Sequence, residues 1–217
     1  MSFQNWSRSR SSAAPDWVGL GGDALSYEGD SSGDRVWRFA DGDAVGIFFF
    51  RAKPDLPQTR EMDRFISEYG RRAQTHGASL LECRILELEL EGLRMLRTIV
   101  KVPQEPHGMT YVGSFTLPFA HCSYVVKVQC EERGTTGLRE AVLLAEGLRS
   151  NSVSIDSESE IPIAGDWNPD SAEFDERFPQ HPISRLRKHL EEIPGCLRLD
   201  DRLLAQEKFD LPDPSAA

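Results

Sequence analysis

The sequence is poor in the features that most readily announce a function. It has four cysteines, at positions 83, 122, 130 and 196, with no Cys-x-x-Cys spacing and no alternation with histidine. That argues against a structural zinc site of the usual kind. Cys122 and Cys130 fall in one stretch that reads as a strand, roughly 26 Å apart at about 3.3 Å per residue. They cannot bridge each other there, and reduced, buried thiols are the expectation. Basic charge is also short. The net charge is −10, and lysine occurs 5 times. Such a surface lacks the footprint that nucleic acid requires and is equally unsuited to an anionic membrane. Long hydrophobic runs are missing. The densest, Ala44 to Phe50, is far below the roughly 20 residues that cross a bilayer. Met1 to Pro15 is rich in Ser and Arg and has no apolar stretch of the kind a secretory signal needs. No membrane partner, no nucleic-acid partner and a cytoplasmic location are therefore expected.

Catalytic and ligand-binding motifs are equally sparse. Gly19-Leu20-Gly21-Gly22 lacks both the full dinucleotide-binding spacing and a preceding strand, and no Gly-x-x-x-x-Gly-Lys-[Ser/Thr] occurs. His121 and Cys122 are neighbours on a strand, so their side chains point to opposite faces and cannot form a nucleophile–base pair. The histidines at 76, 107, 121, 181 and 189 make no His-x-His or HExxH pattern. His181 and His189 are more than two helical turns apart and do not share a metal by spacing. Asp166, Asn168 and Asp170 match the first ligands of a calcium loop, but Ser171 and Arg177 stand where its glycine and bidentate glutamate belong. Glu87, Glu89 and Glu91 read as a solvated strand face. No catalytic residue, cofactor or metal is expected from these patterns.

What is present is a clear order of elements. Val36 to Phe39, Asp41-Gly42 and Ala44 to Phe50 read as a hairpin, and its second arm is apolar on both faces, as in a covered sheet. Residues 58–76 carry Met62, Phe65, Ile66, Tyr69 and Ala73 on one helical stripe. Four strands follow. Leu81, Cys83 and Ile85 change parity to Leu86, Leu88 and Leu90, which predicts a β-bulge at Ile85–Leu86. Arms from Arg94 to Val102, from Met109 to Leu117 and from Cys122 to Cys130 complete an antiparallel meander. A second helix is expected after an N-cap at Thr135 or Thr136, with Leu138, Ala141, Val142, Ala145 and Leu148 facing inward. Strands and helices are segregated along the chain. The expected class is therefore α+β: a twisted antiparallel β-sheet packed with two main helices, plus an acidic C-terminal extension with one short helix.

The charge divides near residue 150. Residues 1–149 carry 18 basic and 20 acidic groups, and residues 150–217 carry 7 and 15. This gives a tail over 1–15, a core domain over 16–150 and an acidic extension over 151–217. Within the extension, Ile183, Leu186, Leu190 and Ile193 form a helical stripe between Pro182 and Pro194-Gly195.

The long strand Ser123 to Gln129, the turn Glu132-Arg133-Gly134-Thr135-Thr136, the helix Leu138 to Leu148 and the earlier helix over 58–76 together resemble the PsbP-like fold, also seen in DcrB-like proteins. The resemblance spans roughly residues 16–153 and rests on the order of elements. It implies a binding or accessory protein without catalysis, in keeping with the lack of catalytic motifs. A protein partner, a basic one by charge complementarity, is expected to engage the acidic extension. Its anchors are Trp167, Phe174, Arg177, Phe178 and His181, because aromatics and arginine dominate interface energetics. The competing expectation is a small enzyme whose site is assembled from residues distant in sequence, marked by an apolar cavity with converging polar groups.

Overall fold

The computed structural model describes residues 15–22, 25–31, 34–88, 92–155, 162–163 and 168–213. The strands are β1 (Val18–Leu20), β2 (Leu25–Ser31), β3 (Asp34–Phe39), β4 (Ala44–Phe50), β5 (Ser79–Leu88), β6 (Leu93–Pro103), β7 (Met109–Pro118), β8 (Ser123–Glu131), β9 (Ser154–Ile155), β10 (Pro162–Ile163) and β11 (Leu197–Leu199). The helices are α1 (Met62–Thr75), α2 (Leu138–Arg149), α3 (Pro182–Cys196) and α4 (Asp201–Leu204). Seven strands form one sheet in the order β2-β3-β4-β8-β7-β6-β5, and every neighbouring pair in it is antiparallel. The α+β class follows directly. None of the helices among the described residues is long and apolar enough to cross a membrane.

Strand β4 lies between β3 and β8 and is buried over its first five residues. Its two-sided apolarity comes from cover on both faces. Helix α3 packs against β7 and β8 on one face. Helix α1 packs against β5, and its fully buried Phe65 meets Leu56, Ile85, Leu96 and Leu211 on the opposite face. Successive side chains of a strand point to opposite faces. In β7, Tyr111, Phe115 and Leu117 therefore join the α3 core, while Val112, Ser114 and Thr116 face the other way.

The main core draws Trp37, Phe39, Val45 and Ile47 from the first hairpin, Tyr124, Val126, Val128 and Cys130 from β8, and Ile183, Leu186, Leu190 and Ile193 from α3. Each such apolar side chain contributes about 1.5–3 kcal/mol by leaving water. Gly113 is what lets α3 come so close. A Cβ there would stand 2.6 Å from Leu190 Cδ1 and 3.0 Å from Leu186 Cδ1. The sequence reading left open whether the stripe at 183–193 docks on the core, and it does.

Several local expectations are corrected. Helix α1 begins at Met62 and not at residue 58. The Thr59 hydroxyl accepts the Glu61 N–H at 3.2 Å, and this local turn replaces the first helical turn. The β5 bulge lies between Leu80 and Glu82. The later parity change arises because both faces are covered: Cys83 and Ile85 pack with Phe65, and Leu86 and Leu88 with the α3 core. In α2 the buried positions are Arg139, Leu143 and Gly147, whereas Leu138 and Leu148 are exposed. Its N-cap is Gly137, whose N–H is accepted by Glu132 Oε1 at 2.9 Å. Helix α3 continues through Pro194 to Cys196. Strand β11 then pairs with β1.

Candidate functional site

On the α1 side, the helix and the Phe50–Leu56 segment stand off from the sheet and enclose a cavity of about 450 Å³. Pro54 breaks regular structure in that segment, so the chain arches over the strands before α1 starts. The floor is a two-residue alternation repeated on three strands: Thr98, Val100 and Val102 of β6, Val112, Ser114 and Thr116 of β7, and Ser123, Val125, Lys127 and Gln129 of β8. Thr98 and Ser114 share a hydroxyl–hydroxyl hydrogen bond of 2.8 Å. Lys53, Asp55 and His76 are exposed at the rim. Arg72, also at the rim, donates to the Asp55 carboxylate at 2.6 Å.

Lys127 is the unusual member. It is 7% exposed, and its ammonium lies 5.8 Å from the centre of the Phe48 ring. Burial disfavours the charged form and brings its pKa down to about 8. The cavity lining holds Lys53, Arg72 and Lys127 against a single carboxylate, Asp55. It is therefore a positive recess in a chain whose net charge is −10.

The α3 side is polar where the cavity side is open. Arg139, fully buried, donates to Pro169 O at 2.6 Å, Ser171 O at 2.6 Å, Asp175 Oδ1 at 3.0 Å and Ser184 Oγ at 2.9 Å. Arg187 bridges Asp175 and Glu82, at 3.0 and 2.7 Å. Nearer the N-terminus of α3, Tyr111 donates to Asp170 at 2.8 Å, and Lys101 lies 3.1 Å from the same carboxylate. Burial and the Asp170 charge raise the Tyr111 pKa, so it stays a phenol.

A second group surrounds Asp43. Its carboxylate accepts from Arg133 and from Arg185, the latter at 2.8 Å, and lies 3.3 Å from His189 Nε2. Burial works against its charge, but the His189 and Arg185 bonds prevail and hold its pKa well below the ordinary carboxylate value. Cys130 is nearby, and burial together with the Asp43 charge raises its pKa, which favours the protonated thiol.

The residues singled out from the sequence fall into this frame unevenly. Trp167 and Asp166 lie outside the described residues. Phe174 and Phe178 are half-buried, with the Arg139 guanidinium 5.9 and 5.8 Å from their ring centres. Arg177 is exposed and forks onto Glu146 at 2.8 and 3.0 Å. The His181 side chain is 7% exposed, 3.8 Å from Glu140 and 4.0 Å from Glu132. Asp170 is buried and ion-paired, not part of a solvated loop. Sequence reasoning missed the cavity. Its one signal was Lys127, a lone cation inside the apolar run from Tyr124 to Val128.

No family model matches the chain, and no curated protein does. Among solved structures, a crystal structure from Bacteroides thetaiotaomicron VPI-5482 at 1.50 Å resolution is similar over 79% of this chain and 67% of that one. The identity is 11% and the TM-score 0.31. A likeness of that size carries no argument about family or activity.

Proposed function

We propose that this is a noncatalytic binding protein whose ligand is a small, largely apolar molecule bearing one anionic group, held between the sheet and α1. The observation that carries the reading is the sign of the lining: three basic side chains and one carboxylate around a largely apolar cavity in an acidic chain. A volume near 450 Å³ suits a drug-sized ligand, and such sites pair an apolar body with a few placed polar groups. Valines from β6, β7 and β8 supply the apolar walls. Lys127 adds a buried positive charge to the floor of the cavity. The earlier expectation of a protein partner at Phe174, Arg177 and Phe178 has less support, because Arg139 and Glu146 already engage these side chains.

The test is displacement of anilinonaphthalene sulfonate by decanoate and by decanol. The expected result is saturable binding at one site, with decanoate the stronger competitor. Lys127→Met weakens decanoate about tenfold, or about 1.4 kcal/mol, and leaves decanol unchanged. Equal competition by the two, or no saturable binding by folded protein, overturns the reading.

A further inference from the structure

The cluster at the start of α3 contains polar atoms whose capacity the fold does not use. Neither ring nitrogen of His181 has a hydrogen-bond partner, and neither has Glu140 Oε2. A buried polar atom left so is costly and rare. His181 Nε2 nonetheless points at two carboxylates, 3.8 Å from Glu140 Oε1 and 4.0 Å from Glu132 Oε1. One ligand atom from each of the three residues falls within 4.8 Å of the other two. Ligands about 2.0–2.2 Å from a shared ion stand roughly 3.4 Å apart in a tetrahedron. Small side-chain rotations would close the gap.

The surroundings fit. Glu132 is fixed by two backbone donors, Met109 N–H at 2.7 Å to Oε2 and Gly137 N–H at 2.9 Å to Oε1. Outer hydrogen bonds of this kind orient ligating carboxylates. Glu132, Glu140 and Asp170 stand against the single cation Lys101, 3.5 Å from Glu140 and 3.1 Å from Asp170. Arg139 is committed to Asp175. The group is thus two negative charges in excess, the charge one divalent ion cancels.

We propose that His181, Glu132 and Glu140 bind one divalent first-row transition ion, with Zn²⁺ as the best match. The imidazole nitrogen selects it over Mg²⁺ and Ca²⁺, which prefer all-oxygen sites. The companion group of Asp43, Cys130 and His189 is a poorer candidate, because Arg133 and Arg185 already occupy the Asp43 carboxylate. Spacing along the chain had given His181 no metal-sharing partner; the fold sets it beside Glu132 and Glu140.

The experiment is titration of the metal-free full chain with Zn²⁺ against a chromophoric chelator, with Co²⁺ absorption as a second readout. The expected result is one equivalent bound, unaffected by excess Mg²⁺, and Co²⁺ visible bands without a thiolate charge-transfer band. His181→Gln and Glu140→Gln each weaken binding by about 10–100-fold or more, with far-UV circular dichroism unchanged. Gln at 140 is isosteric, so it reports binding even if the change at 181 disturbs folding. No stoichiometric binding, affinity indifferent to both variants, or a thiolate band that moves the ion to Cys130 would each overturn the proposal.

Discussion

The two faces of the seven-stranded sheet are closed in opposite ways. On the α3 face, Gly113 removes a side chain so that Leu186 and Leu190 can seat, and the remaining polar edge is tied by Arg139, Arg185 and Arg187. On the α1 face, packing is confined to the cluster around Phe65, and an open cavity is left beside it. One face is filled by interlocking side chains, and the other retains open space beside its packed cluster. The difference shows where substitutions should be damaging and where they should be tolerated.

The largest effect is expected at Asp43, 2% exposed and shared by Arg133, Arg185 and His189. Removing one partner of a buried ion pair leaves the other charge uncompensated, so Asp43→Ala should cost about 3–5 kcal/mol in urea unfolding. The pH dependence has a definite sign. The folded-state pKa of Asp43 is depressed, so its contribution is fully present above the unfolded value of about 3.9 and is lost as pH falls toward the folded one. Asp43→Asn should flatten that acid limb. An unchanged limb would mean that Asp43 does not anchor this face.

A sharper contrast uses neighbours on one strand. Gly113 faces α3 and Val112 faces the cavity. Gly113→Val forces a side chain into Leu190 and should cost about 1–3 kcal/mol by overpacking. Val112→Phe projects into open space and should change stability by less than about 1 kcal/mol while abolishing anilinonaphthalene sulfonate binding. Equal destabilisation by the two would erase the distinction between the faces.

The sequence carried much of the fold and little of the site. The period-two apolar positions in Met109 to Leu117 and in Cys122 to Cys130 marked β7 and β8, and the stripe through Phe65 marked α1. The stripe through Ile183, Leu186, Leu190 and Ile193 was equally visible, but its burial was not. Arg185 and Arg187 look like a solvated flank, and the acids that neutralise them, Asp43 and Glu82, lie 142 and 105 residues away in sequence. Arg139 misled in the same way. A helix reading places arginine outside, and only its contacts with Pro169, Ser171, Asp175 and Ser184 reverse that. Cavities are harder still, because they arise from where the Pro54 arch and α1 stand relative to the sheet. No periodicity encodes that distance.

The last contrast separates ligand binding from packing at Lys127. Its folded-state pKa, about 8, lies below the ordinary 10.5. Across that interval the unfolded chain holds the proton more tightly, so stability rises with pH from about 8 to 10.5. Below pH 8 the folded protein carries the cost of holding a charged ammonium in a buried site. Lys127→Met keeps the length of the stem and removes the charge. It should therefore be the more stable protein at pH 7, by about 1–2 kcal/mol once screening at the cavity mouth is allowed for, and its advantage should vanish near pH 10. A variant that gains stability and loses decanoate places Lys127 in the protein for the ligand. A variant that is less stable at every pH makes Lys127 a structural residue and removes the main support for an anionic ligand.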